Sequence, residues 1–448
     1  MASAAEQLAA NINFSAFGKA TELKQRLWFT LGALLIYRLG TYIPIPGIDP
    51  EALKQIFDQN SGGILGIFNM FSGGALGRMT ILALNITPYI SASIIIQLLT
   101  AIVPSLETLK KEGEAGRKRL NQYTRYGTVV IAMFQAFAIA SGLESMRAGN
   151  VSAVIDPGLA FRLVTMITLV GGTVFLMWLG EQITARGVGN GISLIIFSGI
   201  VANMPAAGGH MLDLISHNAI NPIFAGVFLI IAVGVIAFIV FMERAQRRLL
   251  VQYPKRQHGN KQFGGEASHL PLKMNTSGVI PPIFASSLLL LPASVAGFQA
   301  VQGGDGLLAT IVGYVAHGKP LYMVLYVALI IFFSFFYTAV VFNPTETADN
   351  LKKYGGFIPG IRPGKNTADY LDYVLTRLTV IGAAYLSVVC ILPEILISQY
   401  AVPFYFGGTS LLIVVSVTMD TVAQIHSHLL AHQYEGLIKK SKLRGRRG

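Results

Sequence analysis

The stretch "ALNITPYISASIIIQLLTAIVP", residues 83–104, decides the fold class, because it contains no charged residue. It lies inside a longer uncharged gap whose nearest charges are Arg78 and Glu107. A helix needs about 20 residues to cross the ~30 Å hydrocarbon core of a bilayer. The stretch is long enough for that and presents no charged face to water. It therefore predicts a membrane-spanning helix.

The composition extends this interpretation to the whole chain. Only 12% of its 448 residues are charged and 53% are apolar, whereas a soluble domain carries about 25% charged residues. Further uncharged runs cover 126–143, 163–180, 187–212, 214–242, 274–304, 320–345, 378–393 and 395–419, and a weaker run at 27–48 is interrupted only by Arg38. Since these runs do not alternate apolar and polar residues, they exclude the strands of a membrane β-barrel. They predict an all-α polytopic membrane protein with ten transmembrane helices.

Basic residues predict the orientation of these helices. If the N-terminus is cytoplasmic and each run crosses once, 28 of the 34 Lys and Arg residues lie on the cytoplasmic side, including those of a basic C-terminal tail. An excess of Lys and Arg in the cytoplasmic loops normally decides topology. We therefore expect both termini to be cytoplasmic.

A short motif repeated in two helices points to inverted repeats. Division at a loop over 204–219 gives two halves of five helices each, 1–204 and 205–448, so that the second half enters the membrane from the opposite side. The second helix of each half carries P-x-I-x-A-S, at 88–93 and at 281–286. Four shared letters can arise by chance in a chain rich in Ile, Ala and Ser. Proline-interrupted helices at corresponding places in two halves are nevertheless typical of a transport path.

The segment "SGGILGIFNMFSGGALGRM", residues 61–79, has an apolar part that is too short to span. Its apolar part, 64–71, would reach only ~12 Å as a helix, and glycine pairs flank it at 62–63 and 73–74. Such a piece can re-enter the protein as a half-helix, because irregular backbone is tolerated at membrane depth where protein covers it. It can equally lie on the outer membrane surface, and the residues alone do not decide.

Two long cytoplasmic loops, 243–273 and 343–377, carry seven and five basic residues. Attraction to anionic lipid is one explanation of that charge. Both loops exceed the two to eight residues that would join neighbouring helices, which favours a docking surface, including one for the RNA phosphates of a ribosome.

No motif in the chain predicts catalysis, a cofactor or a metal. "GIRPGK" at 360–365 lacks the spacing and the final Ser or Thr of a phosphate-binding loop. His428 and His432 are one helical turn apart, but no further zinc ligands accompany them. Ion-coupled carriers usually bury charged side chains at the membrane midplane. Within the ten apolar runs, Arg38 is the only charged residue that comes near that position. The residues thus favour a conduit driven by partner proteins over the alternative, an ion-coupled secondary transporter of a small solute with inverted repeats.

Several blocks of sequence resemble the SecY family, the channel subunits of the bacterial protein-conducting translocon, over nearly the whole chain. They are "YIPIPGID" (42–49), "FNMFSGGALGRM" (68–79), "NITPYISASIIIQLLT" (85–100), "KKEGEAGRKRLNQYTRYGT" (110–128), "GVGNGISLIIF" (187–197), "GVIPPIFASS" (278–287), "FNPTETADNLKKYGGFIPGIRPG" (342–364) and "VPFYFGGTSLLIVV" (402–415). One departure is Pro282, where the family more often has a small residue other than proline.

The resemblance implies an hourglass of two five-helix halves, with a lateral gate between helices 2 and 7 and a plug at 64–72. By motif position, the narrowest ring comprises Ile86, Ile90, Ile192, Ile196, Ile283 and Ile413. The plug comprises Ile64, Leu65, Ile67, Phe68, Asn69, Met70 and Phe71. Polar gate positions are Ser91, Gln97 and Asn275, and docking of a motor or ribosome falls on Lys255, Arg256 and Arg362. Physically, Ile86, Ile90 and Ile94 form one helical stripe, and an empty ring of such side chains expels water.

The same resemblance implies the function and the partners. The chain is expected to pass unfolded secretory polypeptides across the bacterial inner membrane and to release transmembrane segments into lipid. The expected partners are the small subunits SecE and SecG, the motor ATPase SecA, ribosomes, polypeptides with signal sequences, and anionic lipid.

Overall fold

The computed structural model describes residues 21–53, 72–145, 147–148, 151–217, 222–253, 256–258, 261–263, 267–289, 319–400 and 408–444. Most of them are helical. The helices are α1 Thr21–Gly40, α2 Thr87–Ile102, α3 Pro104–Lys111, α4 Glu114–Ser145, α5 Leu159–Arg186, α6 Gly191–Ser216, α7 Pro222–Arg244, α8 Ile280–Leu289, α9 Pro320–Val341, α10 Pro344–Lys353, α11 Lys365–Tyr400 and α12 Gly408–Arg444.

The strands form three small antiparallel pairs outside the helical bundle. β1 (Arg147–Ala148) pairs with β2 (Val151–Ser152) in the connection between α4 and α5. Between α7 and α8, β3 (Gln246–Gln252) pairs with β6 (Ala267–Lys273), and β4 (Arg256–His258) pairs with β5 (Lys261–Phe263). The described parts of the basic loop 243–273 therefore pair as antiparallel strands.

The fold class expected from the sequence is confirmed: the chain is an all-α polytopic membrane protein. Each of the ten apolar runs overlaps a described helix, and some runs, such as 395–419, overlap two. Five described segments are long and apolar enough to cross a membrane, namely Glu114–Glu144, Leu159–Arg186, Pro320–Lys353, Lys365–Pro393 and Thr409–Leu430. α2 and α3 give a sixth if this pair, bent by 99°, is counted as one span.

Two boundaries expected from the sequence are wrong. The loop expected over 204–219 is helical as far as Ser216, with Pro205 inside α6. α11 continues through Glu394 to Tyr400, and α12 begins at Gly408, so a single charge does not separate the last two helices. The reason is that glutamate forms helix readily, while proline is tolerated in membrane helices whose freed backbone groups find other partners.

The prolines of the repeated motif begin helices and do not interrupt them, which also corrects the sequence interpretation. Pro88 is the second residue of α2, and Pro281 and Pro282 follow Ile280, the first residue of α8. The first backbone N–H groups of a helix have no partner within it, so proline costs no hydrogen bond there. The shared motif therefore occupies the first turns of two helices in different parts of the chain.

The main apolar core draws residues from most of the long helices, including α1, α2, α6, α8, α9 and α12. A second cluster joins α4 and α5 to the turns at 45–53 and 72–84. A third cluster lies apart from these and packs the β3–β6 hairpin against α11.

Candidate pore site

A small cavity lies where α2, α6, α8 and α12 meet. It has a volume of about 20 Å³ and is lined by Asn85, Ile86, Thr87, Ile90, Ile196, Ile283, Ser286, Ser287 and Ile413. Five of the six isoleucines expected to form the ring are in this set. Four segments far apart in sequence thus bring aliphatic side chains to one point.

The cavity is narrow, and its isoleucines are withdrawn from solvent. Ile413 is 0% exposed, Ile86 1%, Ile196 4% and Ile90 6%, while Ile283 is partly buried against the same core. A space of this size holds about one water molecule. The five isoleucines thus surround a narrow space with little room for solvent.

Ile192, the sixth expected ring residue, does not line the cavity. It packs on the main core and lies against α5, since a Cβ atom placed on Gly180 would be 3.2 Å from its Cγ1 atom. The structure therefore brings together five of the expected ring residues and turns the sixth toward a neighbouring helix.

Polar residues beside the ring were missed by the sequence reasoning. Asn85, Thr87, Ser286 and Ser287 line the cavity together with the isoleucines. Asn85 has a φ of 49°, a left-handed conformation that asparagine adopts more readily than most residues. The only sequence signal was indirect, because Ser286 is the last residue of the repeated motif.

The turns before α2 fix where its ring residues lie. Ile45 donates its N–H to Met79 O at 2.9 Å, and Ile81 donates to Ile43 O at 3.0 Å. The chain after α1 therefore pairs with the chain before α2. At the start of α6, Asn190 caps the helix by accepting N–H bonds from Ile192 and Ser193.

The three expected gate residues lie in two groups. Ser91 is buried on α2, and Gln97 Nε2 on the same helix donates to Ser93 Oγ at 3.1 Å. Asn275 lies just before α8, where its Nδ2 atom donates to Glu243 Oε1 at 2.7 Å and to Gly278 O at 3.0 Å. Among the described residues, no hydrogen bond joins Asn275 to Ser91 or Gln97.

The expected plug, 64–72, lies outside the described residues apart from Ser72, but the chain just after it is held in place. Gly73 is buried with a φ of 67°, and its carbonyl accepts from Arg38 Nη1 at 2.8 Å and from Arg78 Nη2 at 3.2 Å. Both guanidinium groups also lie over the ring of Tyr42, at 5.0 and 4.2 Å from its centroid. Arg38 is the charged residue that interrupts the apolar run 27–48. Its guanidinium group therefore hydrogen-bonds to the backbone of another segment of the protein.

The two basic loops form one unit. Gln252 and Phe357 exchange both backbone hydrogen bonds, at 2.9 and 3.0 Å, so the segment after α10 adds to the edge of β3. The unit is packed by an apolar cluster containing Leu249, Val251, Leu272, Ile358 and Leu371.

The expected docking residues differ in how far they are described. Lys255 lies outside the described residues, and Arg256 begins β4. Arg362 is exposed, and its carbonyl accepts from Thr367 Oγ1 at 3.0 Å. Arg362 is thus an exposed residue on a hydrogen-bonded turn before α11.

Comparison with known proteins decides the family. The family model described as SecY matches residues 80–422. The protein translocase subunit SecY of Rickettsia conorii is 57% identical over 423 residues, covering 94% of this chain and 97% of that protein. The chain belongs to the SecY family. This membership favours a protein-conducting channel over the ion-coupled solute transporter that the sequence left as the alternative.

Solved structures with the SecY-family fold match most of the chain. A structure described as a protein conducting channel aligns with a TM-score of 0.67 at 17% identity, covering 91% of this chain and 92% of that one. Sec61 in a canine ribosome–channel complex from the endoplasmic reticulum aligns with a TM-score of 0.64 at 17% identity, with the same coverage. At this identity the likeness concerns the fold alone.

Proposed function

We propose that the cavity between α2, α6, α8 and α12 is the closed constriction of a channel that passes unfolded secretory polypeptides across the membrane. The observation that carries the proposal is the convergence of Ile86, Ile90, Ile196, Ile283 and Ile413 on one cavity. Aliphatic rings of this kind exclude water and ions when closed. They also offer a passing chain no hydrogen bonds that would retain it.

α2 and α8 belong to the second and the seventh of the ten apolar runs, between which the lateral gate is expected. Opening between these two helices would connect the constriction to lipid. Both helices contribute to the cavity, and both begin with the same proline motif. A transmembrane segment that leaves by this lateral gate gains a few tenths of a kcal/mol for each Leu or Ile at the bilayer centre. The gate therefore sorts segments by their hydrophobicity.

The segment 64–72 is proposed to plug the outer side of the constriction. The support is its short apolar length in the sequence and its continuity with Gly73, which Arg38 and Arg78 hold. Gly73 also lies against α6, since a Cβ atom placed on it would be 3.1 Å from Gly199 Cα. The plug would thus end beside Gly199, which lies three residues, or a little under one helical turn, after Ile196 on α6.

The unit formed by the β3–β6 hairpin and 354–364 is proposed to dock the motor SecA and ribosomes on the cytoplasmic side. Its support is the exposed Arg362, the bridge between Gln252 and Phe357, and the formal net charge of +12 of the chain. Sec61, which shares the fold, was solved in a complex with a ribosome. Permanently charged guanidinium groups suit both acidic protein surfaces and RNA phosphate.

The chain is proposed to lie in the bacterial inner membrane with both termini cytoplasmic, because that orientation places 28 of the 34 basic residues inside. SecE and SecG would accompany it, and anionic lipid would contact its basic loops. It would not act as an enzyme, since the energy for transport would come from the motor or the ribosome.

A crosslinking experiment tests the path. A photoreactive amino acid is placed at Ile90 or Ile413, and at the lipid-facing position Leu31, which is 57% exposed. An arrested secretory precursor is expected to crosslink to the first two positions and not to the third. Crosslinking of equal strength at all three positions would refute the proposed path.

A further inference from the structure

The turn 187–191 between α5 and α6 is held by helices from both ends of the chain. Val188 donates its backbone N–H to Thr30 Oγ1 of α1 at 3.0 Å. Gly189 donates its N–H to Gln424 Oε1 of α12 at 2.8 Å. One five-residue turn thus joins the first described helix to the last.

Two further N–H donors of this turn are bonded. Gly187 donates to Ile183 O at 2.8 Å, and Gly191 donates to Thr184 Oγ1 at 2.9 Å. The first N–H groups of α6 are bonded by the Asn190 cap. Four of the five N–H groups of the turn, those of Gly187, Val188, Gly189 and Gly191, therefore have hydrogen-bond partners.

Apolar packing reinforces the same junction. Val188 is 1% exposed and forms a separate small cluster with Leu23 and Leu27 of α1 and Ile425 and Leu429 of α12. The hydrogen bonds therefore lie beside a contact that excludes water from one side of the turn.

Two glycines of the turn leave no room for side chains. A Cβ atom on Gly187 would lie 2.4 Å from Thr30 Oγ1, and one on Gly189 would lie 2.9 Å from Leu194 Cδ1. Gly189 also has a φ of 89°, which favours glycine. Gly187 thus lets the turn approach α1 closely, and Gly189 lets it approach α12, where a Cβ atom would lie 3.2 Å from Thr421 Oγ1.

We propose that Gln424 is a positioning residue. Its hydrogen bond to the 187–191 turn, called the clasp below, sets the height of α6 relative to α12, that is, the position of one helix along the axis of the other. Ile196 lies seven residues after Gly189, and Ile413 lies eleven residues before Gln424. Both are within ~17 Å of the clasp along their helices. Because the clasp ties the two helices at one end, it fixes the height at which these isoleucines meet in the cavity. The inference rests on the proposed channel function and deepens it.

The test compares Gln424→Leu, which removes the acceptor, with Gln424→Glu, which keeps an acceptor for the Gly189 N–H. Thr418→Val is the matched control, because Thr418 is exposed on the same helix and its hydroxyl bonds only to Val414 O of that helix. Conductance of small ions through the resting channel in planar bilayers is the readout. Export of a normal precursor and thermal unfolding are measured in parallel.

We expect Gln424→Leu to raise resting conductance roughly two- to tenfold, the factor that corresponds to the loss of one net hydrogen bond. Gln424→Glu and Thr418→Val should match the wild type, and all variants should unfold at similar temperatures. Thr30→Val against Thr30→Ser gives a second pair on the α1 side of the turn should Gln424→Leu not fold. There the valine variant should leak and the serine variant should not.

Wild-type conductance in Gln424→Leu, or equal leakage in Gln424→Leu and Gln424→Glu, would overturn the inference. Both outcomes leave the channel function standing as long as the wild type exports the precursor. Failure of the wild type to export would instead contradict the proposed function.

Discussion

Ile90 and Ile283 line the same cavity, and each stands two residues after the first proline of its helix. The first turns of α2 and α8 therefore meet at the constriction. Any change that loosens the packing of the ring also loosens the contact between these two helices. Under the proposed function, we expect the energy needed to open the channel to be set at this point.

Replacement of Ile413 by asparagine should lower that energy. The change removes apolar burial, which is worth roughly 1.5–3 kcal/mol for a whole side chain, and places an amide among apolar neighbours at a cost of about 1–3 kcal/mol. Both effects penalise the closed state more than a hydrated open state. Since ~1.4 kcal/mol changes a ratio of two states tenfold, Ile413→Asn should export a reporter whose signal sequence carries a charge in its apolar core.

Ile395→Asn is the control for this prediction. Ile395 is 44% exposed on α11 and does not line the cavity, so this variant should reject the defective reporter as the wild type does. If Ile413→Asn exports it no better than the wild type, Ile413 does not help to set the opening threshold.

Reversal of charge at Arg362 should stop motor-driven export. The exposed guanidinium group on the turn before α11 is planar and permanently charged, and a carboxylate cannot replace it in binding an acidic surface. Arg362→Glu should therefore lose ATP-driven export while its membrane insertion and unfolding temperature stay unchanged. Lys365→Glu, an exposed neighbour with the same change of charge, should retain most of the export activity. Full export by Arg362→Glu would remove Arg362 from the docking surface.

Arg38 and Arg78 should contribute unequally to stability, although both bond to Gly73 O. Arg38 is half-buried and makes the shorter bond, whereas Arg78 is exposed. Loss of a charged donor to a buried carbonyl costs about 1–3 kcal/mol, so Arg38→Gln should lower the free energy of unfolding by roughly that amount. Arg78→Gln should change it by less than about 1 kcal/mol. Chemical unfolding in detergent measures both, and equal losses would show that the two arginines share the carbonyl evenly.

A side chain at Gly356 should separate the two basic loops. A Cβ atom there would lie 2.9 Å from Tyr253 Cε1 and 3.2 Å from Val251 Cγ1, next to the Gln252–Phe357 bridge. Gly356→Val should therefore speed hydrogen exchange at the amides of Gln252 and Phe357 several-fold. Gly171→Ala, which places a methyl group where no atom lies within 4 Å, should leave that exchange unchanged. Unaltered protection in Gly356→Val would mean that the bridge does not depend on this close approach.

Much of the fold could be predicted from the sequence, because a helix surrounded by lipid is made of apolar, uncharged residues and its composition shows this. The uncharged run around Ile90 predicts a helix and α2 is a helix, although it counts as a span only together with α3. The repeated motif also singled out α2 and α8, which both line the cavity, although it did not show that Pro88 and Pro281 lie in their first turns. A proline is compatible with the start or the interior of a membrane helix, and only the hydrogen bonds around it separate the two.

Contacts between distant segments could not be predicted. Nothing near Arg38 in sequence indicates Gly73 as its partner, and nothing near Gln424 indicates Gly189, since both contacts depend on how helices are arranged in space. The end of α6 was also misplaced, because Pro205 and the glycines at 208–209 resemble a loop in composition while the backbone remains helical. Asn85 was overlooked because its left-handed conformation depends on the turns that pair with Ile43 and Ile45.

Reconstitution tests whether this chain conducts polypeptides. The protein is placed in liposomes with the proposed partners SecE, SecG and SecA, ATP and a secretory precursor, and protection of the precursor from added protease is measured. We predict ATP-dependent protection of the full-length precursor, lost in Arg362→Glu. Uptake of a small solute driven by an ion gradient, with no precursor protected, would contradict the account.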